Sequence, residues 1–352
     1  MEPPSMKHNS YLIKRPLLQV YSRYCVFLIT LAIFALPVNA DTADELPVLK
    51  VGVLQFGTIN WEMDTIVHHG LDSANGFSLE VHNFASKNAS AVALQSGAVD
   101  IILSDLFWVS RQRSQGKAYV LMPTTKASGG VYTRADKSIA QLLRNTNQSI
   151  GVAGGAVDKN WLLLQAYAKH NKMDLSAHLS PKFGAPPLLN RFMLADELDA
   201  IINFWHYNAR LEAAGYRLAL PVMTMLTELN ISSDVPLLGW VFAQDWAARE
   251  PDLVKSFMHA SMAAKQRLVT DAGEWERIRG LTKAENKQVF MILKEQYPQT
   301  LLSQFGADEI AATKALFDIF ADIGGHALMG QVDVFEPNIY WSEAEKVWQT
   351  KQ

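Results

Sequence analysis

A glycine turn followed by a helix-start pattern is the feature of this sequence best suited to holding a ligand. Residues 150–164 are typical of a buried strand, a turn at Gly154 and Gly155, and a helix that includes Asp158 and Trp161. Without Cβ atoms the backbone can approach a ligand closely, and the free N–H groups and positive dipole end of the helix favour an anionic or polar group. Many α/β proteins use such turns for geometry alone, so the motif needs support from elsewhere in the chain.

That support comes from an internal repeat with an offset of 99 residues. The matched positions are Gly52 with Gly151, Asp100 with Asp199, Arg111 with Arg210, Gly116 with Gly215 and, after one insertion, Asn60-Trp61 with Asn160-Trp161. Ordered matches in strand, turn and helix positions indicate a duplicated supersecondary unit. The sequence therefore predicts two similar α/β units, each with its own glycine-containing strand and helix start.

Strand and helix patterns alternate at short spacing in the first unit, which is typical of parallel βαβ units. The predicted strands cover 48–56, 77–84 and 99–103, and the predicted helices 61–71 and 89–96. Further strands are expected at 119–123, 129–133 and 236–242, and helices at 138–144, 245–270, 284–295 and 308–322. The last three helices are expected to pack on the first unit after the chain crosses back to it.

In open α/β sheets ligands lie beyond the carboxyl ends of the strands. Applied to both units, this rule selects small polar groups followed by aromatic rings. The candidate ligand-binding residues are Gln55, Thr58, Asn60, Trp61, Ser104, Asp105, Trp108, Ser128, Gly154, Gly155, Ala156, Asp158, Trp161, Asn203, Trp205 and His206. In this arrangement Trp61 and Trp161 would approach one ligand from opposite sides.

Each candidate also has a structural interpretation. A tryptophan in an α/β protein often packs in the core, and Asp105 and Asp158 each stand where a helix N-cap is expected. Asp100 and Asp199 precede their strands and are expected to fix turns. The glycines at 324–325 lack the lysine of a phosphate loop and are expected to end a helix.

Several kinds of chemistry find no support in the sequence. His68 and His69 are adjacent and point about 100° apart on a helix, so no metal site is predicted. No catalytic triad or metalloprotease motif is present, and neither a catalytic residue nor a cofactor is expected. Because no arginine falls in the four cleft segments, the sequence favours a small polar, flat or heteroaromatic solute over a strong anion.

The N-terminus resembles a secretory signal. Basic residues precede an apolar run at 25–36, and small residues lead to a predicted cleavage site after Ala40. An uncleaved membrane anchor is the alternative. The only cysteine, Cys25, lies in this segment, so the mature chain would have no thiol chemistry, which fits a bacterial periplasm. The net charge of −3 and the absence of a basic run argue against nucleic acid as a partner.

Three stretches resemble periplasmic solute-binding proteins of ABC importers for nitrate, sulfonates, taurine and thiamine precursors. They are Leu94-Gln95-Ser96-Gly97-Ala98-Val99-Asp100-Ile101, then Glu197-Leu198-Asp199-Ala200 followed by Trp205, and 242–254 with its internal Glu250-Pro251-Asp252-Leu253. The likeness covers residues 48–269. It implies an α/β, two-lobed periplasmic-binding-protein fold of the type II kind, in which a ligand cleft lies between lobes joined by a two-strand hinge.

With crossings expected near 128–131 and 237, lobe 1 comprises 41–130 and 237–352, and lobe 2 comprises 131–236. The resemblance implies a monomeric protein without enzymatic activity that captures a small molecule by hinge closure and passes it to the membrane permease of an ABC importer. Two alternatives stay open: a periplasmic sensor that presents its closed form to a signalling partner, and an enzyme on the same fold. The second is disfavoured because related pyrimidine synthases carry a cysteine-rich motif, whereas the mature chain would contain no cysteine.

Overall fold

The computed structural model describes residues 46–126 and 128–350, so the predicted signal segment at 1–40 lies outside the described residues. Within these ranges the strands form two separate five-stranded sheets, and every connection between successive strands except the one from Lys126 to Gly130 contains a helix. The α/β class predicted from the alternating patterns is confirmed.

The first sheet combines four early strands with one that returns from later in the chain. Its strands are β1 (Val48–Leu54), β2 (Ser78–Phe84), β3 (Ile101–Asp105), β4 (Tyr119–Lys126) and β10 (Pro236–Ala243). Their order is β2-β1-β3-β10-β4. Strand β1 pairs parallel with β2 and β3, whereas β10 runs antiparallel to both of its neighbours.

The second sheet repeats this topology. Its strands are β5 (Gly130–Thr133), β6 (Gln148–Ala153), β7 (Leu179–Gly184), β8 (Ala200–Ile202) and β9 (Arg217–Pro221), in the order β7-β6-β8-β5-β9. Here β6 pairs parallel with β7 and β8, and β5 is the antiparallel strand.

The matched aspartates and glycines of the sequence repeat occupy equivalent positions in the two sheets. Asp100 Oδ2 accepts from Lys50 N at 2.8 Å, and Asp199 Oδ2 accepts from Ser149 N at 2.8 Å. Both carboxylates thus hold the turn that leads into a central strand, as predicted. A Cβ atom on Gly52 would lie 2.9 Å from Phe84, and one on Gly151 would lie 2.7 Å from Leu198, so the neighbouring apolar side chains leave no room for a larger residue.

Sixteen α-helices are present in the described ranges, together with 3₁₀ turns at Tyr297–Thr300 and Pro337–Ile339. The first ten are α1 (Ile59–His68), α2 (Leu71–Ala74), α3 (Lys87–Gln95), α4 (Leu106–Ser114), α5 (Ile139–Leu142), α6 (Lys159–His170), α7 (Leu175–His178), α8 (Pro186–Leu194), α9 (Trp205–Ala213) and α10 (Val222–Glu228). The C-terminal six are α11 (Gln244–Arg249), α12 (Pro251–Thr270), α13 (Ala272–Thr282), α14 (Lys287–Gln296), α15 (Ala307–Met329) and α16 (Ala344–Gln349).

Two details of the C-terminal helices differ from the prediction. The helix predicted over 245–270 is split, because Pro251 cannot donate a backbone hydrogen bond and therefore begins a new helix. The stop expected at 324–325 is a kink: Gly325 has φ 49° and ψ −150°, and the helix resumes beyond it.

Two of the C-terminal helices contact the second unit, although the sequence predicts that all three pack on the first. Helix α14 packs against α9, which belongs to the second sheet, and α15 contacts both α4 and α6. Apolar side chains on these helices bury themselves against whichever neighbour covers them, and sequence patterns do not reveal which one that is.

The chain crosses between the sheets twice, from Lys126 to Gly130 and from Pro221 to Pro236. Both crossings fall where the sequence places them, and the first strand after each begins one residue before the predicted lobe boundary. The assignment of whole lobes stays a prediction that strand membership supports. None of the helices described in residues 46–126 and 128–350 is long and apolar enough to cross a membrane.

Candidate functional site

A cavity of about 240 Å³ lies between the carboxyl ends of the strands of the two sheets. The first sheet contributes the ends of β1, β3 and β4, and the amino end of antiparallel β10, which reaches the same edge. The second contributes the helix starts after β6 and β8. The lining residues are Leu54, Gly57, Thr58, Ile59, Lys87, Leu103, Ser104, Asp105, Thr125, Lys126, Ser128, Asp158, Lys159, Asn160, Phe204, Trp205, His206, Leu237, Leu238 and Thr300.

An ion pair crosses this cavity from one sheet to the other. Asp105 caps α4 by accepting from Trp108 N at 3.0 Å, and its other oxygen lies 2.7 Å from Lys159 Nζ at the start of α6. Burial raises the pKa of the Asp105 carboxyl, but Lys159, the nearby charge of Lys87 and the hydrogen bonds outweigh that effect and hold the pKa well below its usual range. Asp105 is therefore ionised at neutral pH.

The helix start after the glycine turn is satisfied from within the chain. Asp158 Oδ1 accepts from Asn160 N at 3.0 Å and from Trp161 N at 3.1 Å. A Cβ atom on Gly154 would lie 2.8 Å from Asp158 Oδ2, so this glycine makes room for the capping carboxylate. Burial raises the pKa of Asp158 against the opposing hydrogen bond from Trp161 N. Asp158 therefore takes up two of the helix-start N–H groups that the sequence made available to an anionic or polar ligand.

Three lysines line the cavity, so the absence of arginine from the predicted cleft segments does not leave it without cationic groups. Lys159 is paired with Asp105, and Lys126 Nζ lies 2.6 Å from Asp234 Oδ1. Lys87 is exposed at the start of α3, and no carboxylate of residues 46–126 or 128–350 lies within ion-pair distance of it. Lys87 therefore contributes an exposed positive charge to the lining of the cavity.

His206 is a neutral polar group in the cavity wall. Both imidazole nitrogens are buried, and neither has a hydrogen-bond partner within the described ranges. Burial and, to a lesser degree, the charge of Arg210 lower the pKa of His206 to about 3. A buried donor and acceptor without partners are unfavourable, so a ligand that satisfies them would gain affinity.

Comparison with solved structures places this arrangement in a known fold. The aliphatic sulphonate binding protein SsuA from Escherichia coli aligns with 13% identity and a TM-score of 0.66, over 85% of this chain and 99% of that one. The nitrate-binding protein NrtA from Synechocystis PCC 6803 aligns with 14% identity and a TM-score of 0.60, over 87% and 90% of the two chains.

A Candida albicans gene product described as having the generic periplasmic binding protein structural fold also aligns, with 13% identity and a TM-score of 0.53, over 86% of this chain and 96% of that one. This chain has the periplasmic binding protein fold. No protein-family model matches the sequence, and no curated protein matches it significantly. Neighbours at such low identity establish the fold, which is the one implied by the sequence resemblance.

Within the periplasmic binding protein fold, the cavity brings together part of the predicted site. The candidates that line it are Thr58, Ser104, Asp105, Ser128, Asp158, Trp205 and His206. The candidates that do not line it are Gln55, Asn60, Trp61, Trp108, Gly154, Gly155, Ala156, Trp161 and Asn203. For the first group, a ligand-binding role stays a proposal.

The predicted pair of opposing indoles needs correction. Trp61 is 4% exposed and packs edge-on against Trp205 and Trp275, with ring centroids 5.9 Å and 5.5 Å away. Trp161 is 7% exposed within the main hydrophobic core. Both rings point along the buried faces of their helices, because a large apolar side chain gains more from that burial than from a solvent-facing cleft.

Three further candidates that do not line the cavity have local structural roles. Asn203 is 1% exposed, and its amide donates to Pro186 O and Asn190 Oδ1. Trp108 packs on Tyr119, with 5.3 Å between ring centroids. The side chain of Asn60 donates to Leu54 O and Gly57 O, which closes the turn after β1. These side chains shape the loops around the cavity without lining it.

Sequence reasoning missed the three lysines, Asn160 and the residues of β10. The strand-end rule could have found Lys87 and Lys126, since each follows or ends a strand of the first sheet. The strand-end rule did not select Leu237 and Leu238, because they lie at the amino end of β10, and only its antiparallel direction brings that end to the cavity. Thr300 comes from the C-terminal part of the chain, and no local signal marked it.

No group of three or more His, Cys, Asp or Glu side chains in residues 46–126 and 128–350 is placed so that it could hold a metal ion.

Proposed function

We propose that this protein is the periplasmic solute-binding component of an ABC importer. The observation that carries the proposal is the cavity itself: in a periplasmic binding protein fold, strand ends from both sheets converge on one cavity with a mixed polar and apolar lining. The predicted signal segment supports export, and the structural neighbours include binding proteins for sulphonate and nitrate. The membrane permease of the importer is the proposed partner.

The solute we propose is small, with a flat or otherwise apolar body and one anionic end. Leu54, Leu103, Leu237, Phe204 and Trp205 supply an apolar wall. An aromatic or alkyl body gains from burial against such surfaces, and a ring can stack on the indole.

The anionic end belongs at Lys87. Its ammonium group has no ion-pair partner among the described residues, and it stands in the first turn of α3, where the helix dipole also favours negative charge. The nitrogens of His206 would hydrogen-bond a polar group on the ligand body. The proposed solute is still flat and polar, as the sequence favours. The sequence argument against an anion is given up, because Lys87 supplies a positive charge in the cavity lining.

Native mass spectrometry of the purified protein tests whether a small molecule is retained. A thermal-shift panel of alkanesulfonates, nitrate, amino acids and aminopyrimidines then identifies the class, because a ligand that binds only the folded state raises the melting temperature. Lys87→Gln should raise the apparent Kd for an anionic compound about tenfold or more. The thermal shift that this compound gives should fall accordingly.

Lys117→Gln is the matched control, since Lys117 is exposed and lies outside the cavity. If both lysine variants and Trp205→Ala leave the shift unchanged, the ligand binds elsewhere and the proposed site is wrong. Chemical turnover of the ligand by the protein alone would contradict the transport role.

A further inference from the structure

A smaller side cavity lies next to the main cavity at the strand ends. Its volume is about 90 Å³, against about 240 Å³ for the main cavity. Strands β5 and β9 of the second sheet, the start of α10 and the 3₁₀ turn at Tyr297–Thr300 contribute to its wall. Ser128, Trp205 and Thr300 line both cavities, so these three residues form the boundary between them.

Trp205 supplies the one large side chain of this boundary, since serine and threonine are small. Its ring packs edge-on against the ring of Trp61, with 5.9 Å between the centroids. Trp61 is 4% exposed and belongs to a buried aromatic cluster with Trp275 and Tyr297. An indole held against a buried neighbour in this way is a fixed wall, and its removal would join the two cavities.

Two buried asparagines hold the backbone that carries Trp205. Asn203 Oδ1 accepts from Phe204 N at 2.8 Å, and Asn208 Nδ2 donates to Asn203 O at 2.9 Å. Asn203 is 1% exposed and Asn208 is 0% exposed. Buried hydrogen bonds of this kind fix the turn between β8 and α9. The indole at the start of α9 therefore has a defined position between the cavities.

The two cavities differ in charge. Three lysines and two aspartates line the main cavity, whereas none of the described residues that line the side cavity is charged. Transfer of a charged group to a site without a charged partner is costly, so only an uncharged part of a solute suits the side cavity. Four apolar and two amide side chains form most of its wall: Leu218, Pro221, Val222, Met223, Gln296 and Gln299.

A carboxylate next to the side cavity reinforces this difference. Glu212 Oε2 accepts from Gln296 Nε2 at 2.7 Å and from Tyr132 OH at 3.3 Å. Burial and the charge of Glu212 raise the pKa of Tyr132, so its hydroxyl stays uncharged. The negative charge of Glu212 repels an anion from the side cavity, while Lys87 attracts one to the main cavity.

From this arrangement we infer that Trp205 sets the length of the solute that the site accepts. The inference rests on the proposed function, since it concerns the solute bound in the main cavity. With the anionic group near Lys87, beside the first sheet, the uncharged end points towards Trp205, beside the second sheet. A solute whose tail ends at the indole fits, and a longer one is rejected because the ring bars the side cavity.

Linear alkanoates from propionate to decanoate test this inference, with the Kd of each measured by isothermal titration calorimetry on the full chain purified free of retained ligand. Each methylene that becomes buried should tighten binding about fourfold. Beyond the longest chain that fits, one further methylene should weaken binding about tenfold. In Trp205→Ala the tightening should continue for at least about two more carbons, because the tail enters the side cavity.

Met223→Trp in the Trp205→Ala background refills the side cavity and should restore the original length limit, since Met223 lines only that cavity. If Trp205→Ala does not fold, Trp205→Leu keeps part of the contact with Trp61 and should extend the limit by about one carbon.

Trp246→Ala is the matched control. Trp246 is also half-buried and packs edge-on against an aromatic ring, that of Phe242 at 5.9 Å, but it lines neither cavity. Its loss should therefore leave the length limit unchanged.

An unchanged length limit in both Trp205 variants would overturn the inference and leave the proposed function intact. The same conclusion would follow if Trp246→Ala extended the limit equally, or if Met223→Trp did not restore it. Binding of no alkanoate to any of these proteins would contradict the proposed anionic solute as well.

Discussion

Lys159 Nζ lies 2.7 Å from Asp105 Oδ2, and this pair joins the helix start after β6 to the helix start after β3 across the cavity. Asp105 is 6% exposed. Loss of one member would leave the other charge buried without its partner. A substitution at this pair should therefore change both the charge of the cavity and the free energy of unfolding.

Asp105→Asn should lower the free energy of unfolding by about 1–3 kcal/mol, because asparagine keeps the α4 cap but not the charge that compensates Lys159. Urea unfolding at neutral pH measures the change. Asp245→Asn removes an exposed pair with Arg249 and should change the free energy by less than about 0.5 kcal/mol. Equal effects of the two substitutions would show that the cavity pair adds nothing.

His206→Phe should leave the stability at pH 7 nearly unchanged or raise it, since an apolar ring of similar size replaces two unsatisfied nitrogens. The pKa of His206 is lowered from 6.5 to about 3, so below pH 6.5 the unfolded chain binds a proton that the folded protein does not. Stability of the unmutated protein therefore falls as the pH drops from 6.5 towards 3.

The variant should lack that part of the decline. Denaturant midpoints at several pH values provide the measurement. A parallel pH profile for both proteins would mean that His206 is solvated or paired.

Glu274→Gln should reduce the loss of unfolding free energy that the protein shows as the pH falls below about 5. Although burial raises the pKa of Glu274, hydrogen bonds from Arg277, His69 and Thr65 outweigh it, and the pKa falls from 4.5 to about 2. The carboxylate thus contributes roughly 3 kcal/mol at neutral pH, and this contribution is lost as the pH falls from about 5 to 2.

Stability measured between pH 2 and 7 checks this prediction. Glu276→Gln, on the same helix in an exposed pair with Arg279, should retain the normal profile. A profile for Glu274→Gln that matches the unmutated protein would refute the assignment.

Gly130→Ala should destabilise the protein by at least about 2 kcal/mol more than Gly116→Ala. Gly130 has φ 151°, and an added Cβ atom would lie 2.2 Å from Leu220 O, where β5 pairs with β9 just after the first crossing. Gly116 has φ 79° but nothing within 4 Å of its Cβ position, so it reports the backbone strain alone. Melting curves of the two variants make the comparison, and similar losses would show that the crossing can relax.

The sequence by itself determined the duplicated α/β architecture. The matches of Gly52 with Gly151 and of Asp100 with Asp199 reflect two requirements that recur in each sheet. One is tight side-chain packing around a strand glycine, and the other is a carboxylate that accepts from a backbone N–H of β1 or β6. Strand ends such as Ser104-Asp105 and Trp205-His206 could likewise be placed at the cavity, because their position follows from strand direction alone.

Only the tertiary structure decided which side chains at those ends face the cavity. Trp61 and Trp161 stand at matching helix starts, yet both indoles turn to buried helix faces, and Lys87 and Thr300 reach the cavity from elsewhere. The neighbour of α14 was equally hidden, since the apolar periodicity of this helix predicts a buried face but not that α9 of the second sheet covers it. Contacts between residues far apart in sequence depend on how whole elements pack, and local patterns carry no information about the chosen neighbour.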